Sequence, residues 1–182
     1  TTLMEQRGAS KDKVCLLDPK SPYAVSISDA GLYPSDSAKP EAAGGPFEFF
    51  LYGGILGDDP PRDRTASLRQ LGFPSRHLGG IQMTTDTALG VTKRCVEDAL
   101  LLALDDTKEQ EQQWGDGKHA KGKLEWVNHP ELSFGKGESV EMPFRYMVDE
   151  ARGAGRDGKP QPLMPDGMRE LISTDLDRCF EF

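Results

Sequence analysis

The stretch FEFFLYGGILGDDPPRDRT, Phe47 to Thr65, passes from an unbroken aromatic and apolar run into three glycines, acids and a double proline. Phe47–Gly54 reads as a central β-strand, because aromatic residues suit a pleated, buried surface. The glycines that follow have two readings. They form a tight strand-to-loop turn, or they let the backbone approach a ligand at the carboxyl end of a strand, where open α/β sheets bind their ligands. The spacing matches neither the dinucleotide G-x-G-x-x-G pattern nor a phosphate-binding G-x-x-x-x-G-K-[ST] loop, so nicotinamide cofactors and ATP are not suggested.

Upstream, KVCLLDP (Lys13–Pro19) is a short, continuously apolar run closed by Asp18 and Pro19, the pattern of a strand buried on both faces. Residues 20–46, rich in Ser, Pro, Gly and Ala without a period, read as a flexible, exposed loop. Downstream, RDRTASLRQL (Arg62–Leu71) is helix-compatible and stopped by Gly72. MTTDTALGVTKRCVEDALLLAL (Met83–Leu104) predicts the best helix, with an apolar stripe at Ala88, Val91, Cys95, Val96, Ala99 and Leu102. Thr84 or Thr85 is available as its N-cap.

Residues 105–123 are almost devoid of apolar side chains and read as a mobile insertion. LEWVNHPEL (Leu124–Leu132) predicts a strand, and GESVEMPFRYMVD (Gly137–Asp149) an extended segment that Pro143 demotes to an edge or bulge. Residues 151–162 form a further flexible loop, and Asp166–Ile172 open a last helix. Interleaved strands and helices favour one α/β domain over residues 1–182 with a mostly parallel sheet.

The chain has 182 residues, 36% hydrophobic and 29% charged, enough for a domain with a sizeable core. It has no apolar run of membrane-spanning length and no secretory signal pattern, so a soluble, intracellular protein with no membrane partner is expected. Cys15, Cys95 and Cys179 are far apart and lack metal-ligand spacing, and are read as buried thiols rather than a disulfide or metal framework. The net charge of −8 disfavours non-specific nucleic-acid binding and suits a basic protein partner.

Several residues carry chemistry with a plain alternative beside it. HLGGIQMTTDTA (His77–Ala88) places glycines, hydroxyls and an acid at a helix start; these hold a polar ligand, or Thr84 merely caps the helix while Asp86 complements its dipole. His77 is a base or a packed side chain beside the turn. Asp58, Asp59, Asp63, Glu138 and Glu141 bind a cation or are simply solvated. Glu138 and Glu141, three apart, face opposite sides of a regular strand.

Taken together, VCLLDP, YGGILGDDPPRDRT, RHLGGIQMTTDTALGVTKR, ESVEMPFRY and LMPDGMRELI closely resemble, in order, the SPOUT-type S-adenosylmethionine-dependent methyltransferases of the branch that monomethylates an arginine of a small-subunit ribosomal protein. The same family is also labelled as predicted RNA methyltransferases. The resemblance implies an α/β knot, with a deep trefoil knot in the C-terminal half and S-adenosylmethionine as cofactor. It places the donor at Gly53, Gly54, Ile55, Leu56 and Gly57, followed by Asp58, and at Leu78, Gly79, Gln82, Met83, Thr84, Thr85 and Asp86.

For an arginine acceptor, carboxylates would clamp the guanidinium and take up its proton. Glu141 is assigned this role first, then Asp58, Asp63 and Glu138, with Arg62 or Arg64 orienting the acids or the donor carboxylate. The resemblance further implies a cytoplasmic enzyme acting as a monomer on a basic ribosomal protein; RNA methylation and an inactive binding module are the alternatives. Family members carry a strand, a helix and a strand before the block resembling VCLLDP. Only thirteen residues precede Val14, so the chain is expected to lack them.

Overall fold

The computed structural model describes residues 4, 6–34, 43–53, 63, 65–104, 116–135, 138–155 and 157–179. They fall into two compact units: Thr1–Gly80 with Ala88–Leu124, and Ile81–Thr87 with Glu125–Phe182.

In the first unit, β1 (Val14–Leu17) is buried at all four positions. It lies between β2 (Phe49–Leu51) and β3 (Ser75–Arg76) in a parallel sheet of order β2-β1-β3. The aromatic run is thus an edge strand among the described residues, and the central place belongs to β1. Phe49 is 40% exposed, whereas Phe50 and Tyr52 pack with Leu78 on a core of Cys15, Leu17 and Phe47. Both runs are apolar at every position, so apolarity does not choose between them; β1 takes the middle because β2 and β3 pair on its two sides. The short helix α1 (Ala66–Arg69) ends before Gly72, whose φ of 71° is the left-handed conformation that stops a helix without a Cβ penalty.

The segment read as an exposed loop, 20–46, is in fact part of the core over 21–29. Ala24, Val25 and Ile27 are at most 1% exposed. Ala24 pairs in parallel with His77, with Val25 N–H donating to the His77 carbonyl (3.0 Å) and His77 N–H to that of Tyr23 (2.8 Å). This extends the line of β3 by backbone hydrogen bonds that low-period sequence does not announce.

Helix α2 (Thr85–Val96) carries the expected stripe, with Val91, Cys95 and Val96 buried and Leu89 outward. It is shorter than expected. Buried Ala99 has φ 60°, a strained value for a residue with a Cβ, and Leu100–Leu101 form β4, parallel to β5 (Gly122–Lys123). The pairing of β4 with β5 overrides the helical preference of the leucines. Residues 105–115 of the expected insertion lie outside the described residues.

In the second unit, β6 (Trp126–Asn128) runs antiparallel to β9 (Arg145–Met147), and β7 (Glu131–Gly135) antiparallel to β8 (Glu138–Glu141). The expected parallel pairing thus holds in the first unit, and the second unit adds two separate antiparallel pairs: residues 136–137 alone separate β7 from β8, and parallel strands need a crossover of a dozen or more residues. One expected strand at 124–132 is two, divided at His129 and Pro130. Pro143 ends β8 before β9, as its missing N–H requires. In 151–162, Ala154 pairs with Pro160, and Val148 with Pro162. Helix α3 (Met168–Cys179) begins within the stretch expected to open the last helix. Among the described residues, no helix is long and apolar enough to cross a membrane.

Candidate functional site

Because β1, β2 and β3 are parallel, the residues that follow them, Asp18, Tyr52–Gly53 and His77–Gly79, emerge at one end of the sheet. With order β2-β1-β3 the chain continues from β1 to one flank and then crosses to the other, the topology that opens a ligand crevice beyond the carboxyl ends. Tyr52 is half-buried, and burial raises its phenol pKa although a Thr92 hydrogen bond opposes the shift. Gly53 is exposed, and a Cβ added to it would lie 3.7 Å from Thr65 Cγ2, an ordinary contact. Gly79 has φ 105°, a conformation favouring glycine, and its N–H donates to His77 Nδ1 at 3.1 Å. His77 is buried, which lowers its pKa and keeps the ring a neutral acceptor. Of its two readings, the packed histidine is the one observed.

The same end of the sheet holds a network that sequence reasoning missed. Arg69 donates from Nε and Nη2 to the two oxygens of buried Asp18, and from Nη1 and Nη2 to Asp63 at 3.2 Å. The Thr65 hydroxyl lies 3.1 Å from Asp18 Oδ1 and 3.0 Å from Asp63 Oδ1, and Lys20 Nζ donates to Asp63 at 2.7 Å. Burial alone would raise the Asp18 carboxyl, but Arg69, the Lys20 N–H and Thr65 outweigh it and leave the pKa lowered. Arg69 and Lys20 hold Asp63 far below the usual carboxylate range. Asp18 and Arg69 had read as a strand terminator and a helix residue; a buried acid after an all-apolar strand was the available signal.

In the second unit, Arg145 N–H donates to the Gln82 carbonyl at 2.8 Å, and Met83 pairs with Arg145 in parallel. Arg145 is buried, its guanidinium 5.0 Å from the Trp126 ring centroid and bonded through Nε to Asn128. Thr84 Oγ1 accepts the Thr87 N–H at 3.4 Å, the expected cap, with Asp86 in the first turn of α2. Burial and then the negative charge of Asp86 push the Tyr146 phenol up to about 12. Glu141 is exposed and Glu138 half-buried; Glu141 stands opposite Glu131, which accepts from Ser139 Oγ at 2.7 Å.

Among the expected site residues, Gly53, Asp63, Leu78 and Gly79 belong to the first unit, and Gln82, Met83, Thr84, Thr85, Asp86, Glu138 and Glu141 to the second. Gly54, Ile55, Leu56, Gly57 and Asp58, with Arg62 and Arg64, lie outside the described residues. No group of three or more potential metal ligands occurs among the described residues.

The family described as protein arginine N-methyltransferase SFM1-like matches residues 1–179. The chain belongs to this family. Protein arginine N-methyltransferase SFM1 of Saccharomyces cerevisiae is 38% identical over 167 residues, covering 90% of this chain and 59% of that protein. The crystal structure of the yeast arginine methyltransferase SFM1 complexed with SAM matches at 33% identity and a TM-score of 0.64, over 95% of this chain and 62% of that one. Its complex with SAH matches at 35% identity and a TM-score of 0.58, over 88% and 57%. The chain thus spans about three fifths of the length of these SFM1-like relatives.

Proposed function

We propose that this chain is an S-adenosylmethionine-dependent protein arginine methyltransferase of the SPOUT class, monomethylating an arginine of a basic small-subunit ribosomal protein. The observation that carries the reading is its match along 95% of its length to a family member whose crystal structure is complexed with SAM. The described residues fit such a donor: exposed Gly53 leaves its backbone approachable, and half-buried Tyr52 and Leu78 offer apolar surface at the carboxyl end of a parallel sheet. In this reading the chain is one methyltransferase domain with a trefoil knot, acting as a cytoplasmic monomer. The acidic balance of the chain favours a basic protein over RNA as acceptor.

When bound, the donor supplies an electrophilic methyl group on a sulfonium. The chain's own residues must then hold a guanidinium, whose lone pairs are delocalised, and accept a proton as the N–C bond forms and sulfur keeps the electrons of the broken C–S bond. Glu141, exposed on β8, is assigned as proton acceptor, with Glu138 and Asp58 as further carboxylates. Asp63, paired with Arg69 and Lys20, has too little proton affinity for a base and serves in binding. Donor contacts are assigned to Gly53, Leu78 and Gly79 in the first unit, and to Gln82, Met83, Thr84, Thr85 and Asp86 in the second.

Calorimetric titration with S-adenosylmethionine, followed by methyl transfer to basic ribosomal proteins, tests the reading. Micromolar donor binding, weakened by Thr85→Ala, and methylarginine in the acceptor are expected. Full transfer by Glu141→Gln would remove Glu141 from its role. Methylated RNA without methylated protein would overturn the acceptor assignment, and absence of donor binding by the folded chain would overturn the function.

A further inference from the structure

Arg69 has a buried side and an open side. Its Nε and Nη2 grip Asp18, whose side chain is 1% exposed, while Nη1 and Nη2 reach Asp63, which is 30% exposed. A planar guanidinium can serve two carboxylates in fixed directions; a lysine ammonium is a point charge and cannot fix the plane of either. Arg69 Nη2 also donates to Thr65 Oγ1 at 3.1 Å, and the methyl of Thr65 faces Gly53. Helix α1 is thereby tied to the end of β1 through Arg69, and its N-cap Thr65 lies beside Gly53 at the end of β2.

Asp63 carries two cations of different standing. Arg69 approaches with its fork already anchored on Asp18. Lys20 binds Asp63 Oδ2 at 2.7 Å with a side chain 65% exposed, and such exposed pairs are weak in water.

We propose that Asp18 and Arg69 are a positioning pair for the methyl-transfer site, holding Asp63 aimed outward as a cation-binding carboxylate and Thr65 against Gly53. Lys20 is the exchangeable cation, which the incoming substrate guanidinium displaces from Asp63 while Arg69 stays. This rests on the methyltransferase reading above and assigns residues outside it.

The test uses the whole chain, S-adenosylmethionine, and a short peptide with one arginine flanked by lysines. Arg69→Lys is expected to lower kcat/KM for the peptide about 100-fold, the scale of a misplaced binding group, mostly through the peptide KM, with donor affinity changed far less. Lys20→Met is expected to lower the peptide KM about twofold, since it removes a weak competitor. An unchanged peptide KM in folded Arg69→Lys overturns the proposal. Should Arg69→Lys fail to fold, Lys20→Met decides: a lower KM supports the proposal, and an unchanged or higher KM overturns it. Loss confined to donor affinity in Arg69→Lys also overturns it. If the wild-type chain neither binds donor nor transfers methyl, the functional reading itself falls, and this inference with it.

Discussion

Arg76 and Asp29 meet with both side chains at 0% exposure, the guanidinium donating to Asp29 through Nε and Nη2 and to the Ala43 carbonyl through Nη1. The Phe47 ring centroid lies 4.9 Å from the same guanidinium and that of Tyr23 5.6 Å. Breaking a buried pair leaves an uncompensated charge, so Arg76→Met should cost about 3–5 kcal/mol in urea unfolding. Asp29 also accepts the Ser26 N–H at 2.8 Å. Asn at 29 keeps that acceptor and removes the charge, so Arg76→Met combined with Asp29→Asn should be more stable than Arg76→Met alone. A double variant no better than the single would show that the charge is not what costs.

Acid should weaken the fold through His77. Its folded pKa lies below the ordinary value of ~6.5, so the unfolded chain binds the proton more readily. Stability from this group is complete above ~6.5 and is lost as pH falls through that value toward the folded pKa. His77→Asn, which keeps an acceptor for the Gly79 N–H, should flatten the fall in stability between about pH 7 and 5.5. Superimposable wild-type and variant profiles would exclude His77 as the source.

A second acid step belongs to Asp18 and Asp63, whose folded pKa values are lowered. Their contribution is present above the unfolded value of ~3.9 and disappears as pH drops below it. Thermal unfolding of Asp63→Asn should therefore show a shallower loss below pH 4 than the wild type, with no difference in the His77 window.

Thr84→Ala should cost about 1 kcal/mol by removing the acceptor for the Thr87 N–H, and Thr84→Ser should recover most of it. Chemical denaturation without donor checks this; equal stability of all three chains would leave Thr84 no capping role.

The Cys95 thiol is fully buried, and that burial pushes its pKa up. Native protein should leave Cys95 unalkylated by iodoacetamide at pH 8.5, with modification appearing in denaturant, as peptide mass spectrometry would read. Rapid native labelling would contradict its burial.

What the sequence determined by itself was whatever acts over a few residues. The all-apolar run at Val14–Leu17 specified a doubly buried strand, Thr84 and the following stripe specified where α2 starts and which face it buries, and Gly72 marked where α1 stops. The glycine-rich loops were legible as a motif, and the parallel pairing of β1, β2 and β3 gives their starts a common end of the sheet. Tertiary structure alone decided that Phe49–Leu51 flanks β1 at the edge of the sheet among the described residues, that Leu100–Leu101 leave the helix, and that residues 21–29 enter the core. It also decided the partners of Arg76 and Arg69, which lie 47 and 51 positions from Asp29 and Asp18. Local preference is set by neighbours one turn or one pleat away, whereas the cost of a buried charge depends on which distant group the chain path brings to meet it.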